Sequence, residues 1–259
     1  MDFDDIFVSG SDRTIGHLGL VAGCYDSLKI SEIVDNLIPK NGQHKLTHGD
    51  ALKGMVINGL GYIERRLYLF PAFFTDVSLK RLFNRDITAD QLNDDVMGRT
   101  LDAIAAFGPT ELFNQIVSDC LERDQFAINL VNADTTNFSV YGDYDSDSNT
   151  EKIEITYGHP KDGRWDLKRF VLGMATNQYG IPLMLQTFSG NESDKKSLLR
   201  MVTGIKENLK IDEKVLHVAD SAFYTEENLK TLGSHTFWIS RVPMVIDEAD
   251  LHRRTGETF

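Results

Sequence analysis

The hydrophobic periodicity of the chain changes near Phe126, and this change constrains the fold more than any other feature of the sequence. Before it, apolar residues recur with a helical period. Thr47 and Thr88 stand at the start of two such segments as capping residues, and Gly108-Pro109 ends the second. After it, short apolar runs of strand type alternate with helical segments. The sequence therefore predicts an α/β protein in which an all-α N-terminal domain precedes a mixed α/β domain.

Strand and helix signals alternate through the second half. A short apolar run at 127–131 continues into a polar strand, and a strand-like run follows at 153–157. Asn177-Gln178-Tyr179-Gly180 separates two apolar runs and predicts a hairpin. A helix, a buried-type strand at 215–219, a second helix and a last strand come next. We therefore divide the chain into a flexible lead-in at 1–13, a helical domain at 14–125 and a mixed α/β domain at 126–259.

Two aspartates stand out by their position in this pattern. Asp134 lies inside the first strand of the second half, and Asp220 directly follows the strand at 215–219. Sites in open α/β sheets form beyond the carboxyl ends of strands, and neighbouring strands lie about 4.8 Å apart. If these two strands are neighbours, both carboxylates can share divalent ions, and Mg²⁺ or Mn²⁺ suits such oxygen ligation. The alternative interpretation makes Asp220 a turn or helix-capping residue.

Composition excludes several other classes of protein. The formal net charge of −12 argues against non-specific coating of nucleic acid, although it leaves room for a local basic groove. The two cysteines, Cys24 and Cys120, lie far apart, show no zinc-type spacing and fit a reducing compartment. The first residues are acidic where a signal peptide would be basic, and no apolar run reaches the length of a membrane span. The expected location is the cytoplasm.

Eight stretches of sequence, none decisive alone, stand together in a specific order and spacing. They are His17-Leu18-Gly19-Leu20-Val21-Ala22-Gly23, Leu92-Asn93-Asp94-Asp95 with Gly98-Arg99-Thr100-Leu101-Asp102, Asp134-Thr135-Thr136, residues 158–168 with their Lys-Asp-Gly-Arg-Trp-Asp-Leu-Lys order, Gly180-Ile181-Pro182-Leu183, Gly190-Asn191-Glu192-Ser193-Asp194-Lys195, residues 218–229, and Trp238-Ile239-Ser240-Arg241-Val242-Pro243. Through these stretches the chain resembles insertion-sequence transposases of the DDE type. That group has a helical N-terminal domain of unknown function before a ribonuclease-H-like catalytic domain.

The resemblance implies a site and a reaction. Asp134 and Asp220 match the first and second acids of the DDE set, which in such enzymes bind two Mg²⁺ or Mn²⁺ ions. These enzymes hydrolyse a phosphodiester at each transposon end and then use the freed 3′-hydroxyl to attack target DNA. They need neither ATP nor a covalent protein–DNA intermediate. The implied partners are therefore transposon ends and target DNA, and a homodimer on paired ends is an assembly that this family commonly uses.

The third acid departs from the family pattern. A Glu on a helix after the last core strand is expected well beyond Pro243, but the sequence offers only Glu248 and Glu257 there. Glu257 follows Thr255-Gly256 at the end of the sequence, where no helix can hold it rigidly. The sequence therefore predicts a ribonuclease-H-like domain that is incomplete at its C-terminus. Because removing one carboxylate of three unbalances a two-ion site, we expect negligible strand transfer from this chain alone.

Candidate DNA contacts outside the acid pair are basic or aromatic. They are Lys161, Arg164, Trp165, Lys168, Arg169 and Arg241. The helices expected at 47–60 and 88–106 are candidates for a helix-turn-helix that binds transposon ends, with a plain helical bundle as the alternative. Two other functions stay open on sequence alone. One is a non-catalytic DNA-binding or regulatory remnant of a transposase, and the other is a metal nuclease of similar fold with its own acid set.

Overall fold

A computed structural model of the chain describes residues 13, 15–40, 45–61, 67–124, 126–144, 153–209, 214–232 and 236–243. It divides the chain into two compact units, Met1–Leu112 and Phe113–Phe259. Helices in the first and a sheet with helices in the second confirm the predicted fold class. The lead-in predicted at 1–13 lies outside the described residues except for Arg13. The domain boundary predicted between 125 and 126 stays a prediction.

The first unit is built from helices joined by short turns. They are α1 (Leu18–Ser27), α2 (Ile30–Leu37), α3 (His48–Gly59), α4 (Phe70–Phe73), α5 (Leu79–Phe83) and α6 (Asp94–Phe107), and α7 (Pro109–Asp124) begins at its end. Their buried side chains form one hydrophobic core, whose members include Leu46, Ile57, Phe74, Leu82, Leu92 and Met97. Helix α3 also buries polar side chains, among them Asp50, Lys53 and Asn58.

Capping residues set where these helices begin. Thr47 starts α3 through a capping box with Asp50, as its position before the apolar segment predicts. Thr88 also forms a capping box, with Gln91, but this box closes only one turn of 3₁₀ helix. A new helix, α6, starts three residues later, where the Asn93 side chain accepts a hydrogen bond from the Val96 amide at 3.0 Å. The continuous helix predicted from Thr88 is therefore wrong at its start.

The two helices weighed as a helix-turn-helix are not joined as one in the structure. The two helices assigned to it are α3 and α6, which contact each other through His48 Nδ1 and Thr100 Oγ1 at 3.0 Å. Helices α4 and α5 stand between them in the chain, whereas a helix-turn-helix joins its helices by three or four residues. Lys53, one of the nearby basic residues, is 3% exposed and pairs with Asp26 at 2.6 Å. Its charge is neutralised inside the unit and is not presented to DNA.

The second unit contains a five-stranded sheet and two further helices. In chain order they are β1 (Leu130–Val140), β2 (Lys168–Asn177), β3 (Pro182–Ser189), α8 (Asp194–Leu209), β4 (Leu216–Ala219), α9 (Glu226–Leu232) and β5 (Trp238–Ser240). The strand order across the sheet is β3-β2-β1-β4-β5. Strands β1, β2 and β3 are antiparallel neighbours, while β4 and β5 run parallel to β1. The sheet is therefore mixed, with an antiparallel part at β3-β2-β1 and a parallel part at β1-β4-β5.

The two faces of this sheet have different environments. Val131, Ala133 and Thr135 of β1 are buried on one face. That face packs against α8 in the second hydrophobic core, to which the helix contributes Leu198, Met201, Val202 and Ile205. Because side chains alternate along a strand, Asn132, Asp134, Thr136 and Phe138 lie on the other face, and all four are exposed. We call these the helix-covered face and the exposed face.

One predicted strand is replaced by a loop. The run at 153–157 has a strand-like sequence, but its ladder is a single bridge between Thr156 and Arg169. Residues 158–167 then continue as a loop toward β2. The hairpin predicted at 177–180 is present between β2 and β3, with Gly180 at a positive φ of 78°. Among the residues described, the structure contains no helix long and apolar enough to cross a membrane.

Candidate active site

Asp134 lies in the middle of β1 on the exposed face. Its neighbours on this face are Asn132 and Thr136 in the same strand and Met174 directly opposite in β2. A depression of about 310 Å³ is lined by these residues together with Thr135, Leu172 and Thr176. The carboxylate therefore stands on an accessible surface, and the cost of burying an unpaired charge does not arise.

Asp220 follows β4 in an extended conformation. Its backbone angles, φ −71° and ψ −179°, continue the strand by one residue before a turn of 3₁₀ helix at Ser221–Phe223. The Asp220 Oδ1 atom accepts a hydrogen bond from the Ala222 amide at 2.9 Å. The capping role weighed from the sequence is thus real, but it uses only one of the two carboxylate oxygens.

The register of the sheet relates the two aspartates. Strands β1 and β4 pair in parallel, with Val131 opposite His217 and Asn132 opposite Val218. Asp134 and Asp220 each lie two residues beyond the second of these pairs. Because the side-chain period of a strand is two, the matched offset places both carboxylates on the same face of adjacent strands. Neighbouring strands are separated by about 4.8 Å, so the two side chains are within reach of a common ion.

Among the described residues, each carboxylate has one oxygen without a hydrogen-bond partner. Asp134 Oδ1 accepts a hydrogen bond from the Thr135 amide at 2.7 Å, as Asp220 Oδ1 does from Ala222. Within the described part of the chain, neither carboxylate forms an ion pair with a basic side chain. The Oδ2 atoms are therefore available as ligands. Mg²⁺ is commonly held by one or two carboxylates, with waters and substrate phosphates completing the coordination, and this donor set fits that pattern.

A third protein ligand is not found in the described residues. They contain no group of three or more His, Cys, Asp or Glu side chains arranged to hold a metal ion. Glu248 and Glu257, the two acids weighed from the sequence, lie outside the described residues. The site in the structure is thus an aspartate pair, and the two-ion arrangement implied by the resemblance needs a further acid.

Arg241 lies beside this pair on the other side of Asp220. Strand β5 pairs in parallel with β4, with Val218 opposite Ile239 and Ala219 opposite Ser240. One residue further along both strands, Arg241 lies alongside Asp220. Ser240 Oγ donates to the Asp220 carbonyl oxygen at 2.5 Å, and Arg241 is exposed with its Nη2 atom 3.4 Å from Ser221 Oγ. A guanidinium at this point can contact a phosphate that approaches the two aspartates.

The basic and aromatic loop presents some of its predicted DNA contacts to solvent. Trp165 is 63% exposed and meets the ring of His159 edge to face. Arg164 forms a two-pronged ion pair with Asp166 at 2.8 and 2.9 Å, and this pairing lowers the pKa of Asp166 to about 2. Lys168 donates to the Tyr144 carbonyl oxygen at 3.1 Å. The positive charge of Arg164 is therefore balanced locally by Asp166.

Arg169 does not belong to this surface. The side chain is fully buried, and its Nη2 atom donates to the carbonyl oxygens of Arg164 and Leu167 at 2.7 and 3.1 Å. Its Nε and Nη1 atoms are buried and have no hydrogen-bond partner among the residues that the structure describes. A guanidinium in this position fixes the end of the loop against β2, and DNA has no access to it.

Lys161 and Asp194 were not recognised from the sequence as a pair. The sequence makes Lys161 a candidate DNA contact, yet its side chain lies 3.5 Å from that of Asp194, and both contact Thr135. The two residues are 33 positions apart in the chain, and no local pattern predicts their pairing. The one available signal is that Thr135 and Asp194 both lie in stretches that carry the resemblance.

One family model matches the N-terminal part of the chain. It is described as a domain of unknown function (DUF4277) and matches residues 11–118. No curated protein sequence matches the chain. The matched region ends before β1, so this family model contains neither Asp134 nor Asp220 and assigns no activity to the chain.

Solved structures of transposases are distantly similar. The piggyBac transposase in a synaptic complex with hairpin DNA has 10% sequence identity and a TM-score of 0.38 over 94% of this chain. This chain spans 45% of the length of that one. The Mos1 transposase paired-end complex with the left transposon end has 13% identity and a TM-score of 0.27, over 92% of this chain and 82% of that one. The Mos1 mariner paired-end complex with Mn has 14% identity and a TM-score of 0.28, with the same two coverages.

Proposed function

We propose that this chain is part of an insertion-sequence transposase of the DDE type, with Asp134 and Asp220 as two acids of its catalytic site. The observation that carries the proposal is the matched offset of the two aspartates beyond the parallel pairing of β1 and β4. The order of the sequence stretches described above supports the same interpretation. Asp143, an exposed acid beyond the end of β1, has no such relation to β4.

The residues of the chain have distinct roles in this proposal. Asp134 and Asp220 would hold Mg²⁺ or Mn²⁺ through their free oxygens, together with a third acid outside the described residues. When bound, such ions neutralise the phosphodiester and activate the attacking water or 3′-hydroxyl. The hydrogen bonds from Thr135 and Ala222 orient the two carboxylates before DNA arrives. Arg241 would bind a non-bridging phosphate oxygen next to Asp220.

The DNA surface in this proposal is local and does not depend on overall charge. A chain with a net charge of −12 is not drawn to DNA as a whole. Arg241 would contact the transposon end or target DNA beside Asp220, and Lys168 and the exposed Trp165 would contact it farther along β1. Arg164 and Lys161, which are engaged in ion pairs, would contribute less. The homodimer on paired ends and a DNA-end-binding role of the N-terminal unit belong to the same proposal.

Metal binding tests the proposal independently of the third acid. Mn²⁺ is titrated into the full chain and followed by calorimetry and by electron paramagnetic resonance, for the wild type and the variants Asp134→Asn and Asp220→Asn. Both variants keep an oxygen that accepts the local backbone hydrogen bond, so they remove charge with little change in shape. We expect each variant to weaken Mn²⁺ binding by at least about tenfold, because a ligand oxygen loses its charge.

Asp143→Asn is the matched control, since it removes one exposed carboxylate from the end of the same strand. Equal Mn²⁺ affinity in all four proteins would refute the shared site. A second assay measures nicking of supercoiled plasmid in Mn²⁺, where any activity should disappear in both pair variants. Sequence-specific binding of transposon ends that is insensitive to Mn²⁺ and to both variants would instead favour the non-catalytic remnant.

A further inference from the structure

Strand β1 extends beyond its neighbour β4 at the position of the aspartate pair. The Leu216 amide donates to the Asn129 carbonyl oxygen at 3.1 Å, so the backbone groups of Asn129 point toward β4. Because alternate residues of a strand direct their N–H and C=O groups to the same side, those of Thr135 point that way as well. Strand β4 ends at Ala219 and turns away after Asp220. The Thr135 carbonyl oxygen must therefore find a donor other than a strand.

Lys161 supplies this donor. Its Nζ atom lies 2.7 Å from the Thr135 carbonyl oxygen and 3.2 Å from Thr135 Oγ1. Thr135 Oγ1 in turn donates to Asp194 Oδ1 at 2.8 Å, and Asp194 Oδ2 lies 3.5 Å from Lys161 Nζ. Thr135 is 5% exposed. The residue that follows Asp134 is thus held through both its main chain and its side chain.

The loop that carries Lys161 is attached along β1. Asn137 Nδ2 donates to the His159 carbonyl oxygen at 2.9 Å, and Ser139 Oγ donates to Asp162 Oδ2 at 2.8 Å. Loop residues 159, 161 and 162 therefore contact β1 residues 137, 135 and 139 respectively. A cavity of about 260 Å³ lies beside this contact and is lined in part by Lys161, Asp194 and Ala222.

The Thr135 amide links this network to the carboxylate of Asp134. That amide donates to Asp134 Oδ1 at 2.7 Å, and it points toward β4 as the Thr135 carbonyl does. The hydrogen bond therefore turns the Asp134 carboxylate toward the strand that ends in Asp220. Movement of the Thr135 backbone would therefore turn the Asp134 carboxylate away from Asp220.

We infer that Lys161 is a positioning residue for the metal-binding pair, acting on Asp134 through the backbone of Thr135, whose carbonyl oxygen accepts from Lys161 and whose N–H donates to Asp134. The inference rests on the proposed function, since it concerns the same site. Lys161 contacts neither metal nor the reacting atoms in this arrangement. Its effect is to keep the Asp134 carboxylate aimed at Asp220, as residues behind metal ligands generally do.

Removal of the Lys161 charge distinguishes positioning from simple electrostatics. A cation near two carboxylates repels a metal ion, so loss of the charge alone would make Mn²⁺ bind more tightly. Loss of the hydrogen bonds from Lys161 frees the backbone of Thr135, so the Asp134 carboxylate is held less firmly and Mn²⁺ binding weakens. The two effects have opposite signs, and the direction of the change identifies which one dominates.

The experiment compares Mn²⁺ affinities of the full chain by calorimetry for Lys161→Met, Lys161→Arg and Lys196→Met, with circular dichroism as a check of folding. Lys196 is an exposed lysine two residues after Asp194, so its replacement removes one charge near the same helix end. We expect Lys161→Met to weaken Mn²⁺ binding by about tenfold, the lower end of effects seen for residues behind metal ligands. Lys161→Arg, which keeps charge and donors, should restore most of the affinity, and Lys196→Met should bind as the wild type does.

Wild-type or tighter Mn²⁺ binding by folded Lys161→Met would overturn the inference. If this variant does not fold, Lys161→Ala, which also lacks an N–H donor, takes its place, and unchanged affinity there overturns the inference equally. Asp134→Asn, titrated in parallel, separates the two proposals. If it binds Mn²⁺ as the wild type does, the proposed function fails and the inference fails with it. If it loses Mn²⁺ while Lys161→Met does not, only the inference fails.

Discussion

Asp134→Asn should have opposite effects on stability in the absence and in the presence of a divalent ion. The substitution keeps the acceptor for the Thr135 amide and removes one of two like charges on adjacent strands. At about 5 Å in a medium close to bulk water, two such charges repel by about 1 kcal/mol. Without metal, the variant should therefore be more stable than the wild type. For a folded unit of this size, about 1 kcal/mol raises Tm by roughly 2–4 °C.

Bound Mn²⁺ should reverse the order of the two Tm values. An ion that binds only the folded state stabilises it by about 2.7 kcal/mol when its concentration is 100 times the Kd. The wild type should gain this stabilisation in Mn²⁺ and the variant should lose most of it. The Tm of the wild type then exceeds that of the variant by several degrees, whereas in a chelator the variant melts higher.

Differential scanning calorimetry in EDTA and in MnCl₂ measures both Tm orders. Low ionic strength is needed because salt screens exposed charges over about 10 Å at 0.1 M. Asp143→Asn serves as the control, because it changes the net charge equally at an exposed position outside the pair. A variant that melts at or below the wild type in EDTA would show that the two carboxylates do not face each other. Equal stabilisation of both proteins by Mn²⁺ would place the metal site elsewhere.

Three further predictions concern the surroundings of the pair. Gly158→Ala should lower the free energy of unfolding by about 1–3 kcal/mol in urea titrations, because a Cβ at this position overlaps the carbonyl oxygen of Gly190. Burial, with a smaller contribution from Lys206, lowers the pKa of His217 to about 4, below its unfolded value of 6.5. The unfolded chain therefore binds the proton more readily, so stability should fall by roughly 3 kcal/mol between pH 6.5 and 4, and His217→Leu should remove this dependence. Arg241→Gln should weaken DNA binding at all sequences and reduce the slope of log K against log salt by about 1 in fluorescence anisotropy.

Local sequence signals predicted the elements of this fold better than their contacts. The capping box at Thr47 and the hairpin at 177–180 depend on residues only a few positions apart, and both are present in the structure. The box at Thr88 has the same local form, yet it closes a single 3₁₀ turn, because a second cap at Asn93 starts the longer helix. At 153–157 the strand-like run pairs at only one position. Local propensity thus predicts that an element is present, while its length depends on the neighbouring caps and strands with which it can pair.

The same distinction applies to the site. The sequence placed Asp134 inside one strand and Asp220 at the end of another, but the pairing of β1 with β4 joins residues 86 positions apart. The hydrophobic pattern of either strand alone does not predict this register. A slip of one residue would put the two carboxylates on opposite faces of the sheet. The contact between Lys161 and Thr135 also depends on long-range pairing. The Thr135 carbonyl oxygen accepts from Lys161 because β4 ends at Ala219 and leaves that oxygen without a strand partner.

The acidity of the chain and its proposed DNA partner are compatible only through this local arrangement. Two carboxylates on one face repel a phosphodiester as well as each other, so the pair by itself opposes DNA binding. A divalent ion between them changes the sign of the local field, and the nearby Arg241 adds a donor suited to phosphate. In the proposed function, the site would then attract DNA although the net charge of −12 does not. Occupation by metal would therefore precede productive contact with DNA, and the geometry of Asp134 and Asp220 determines whether that step takes place.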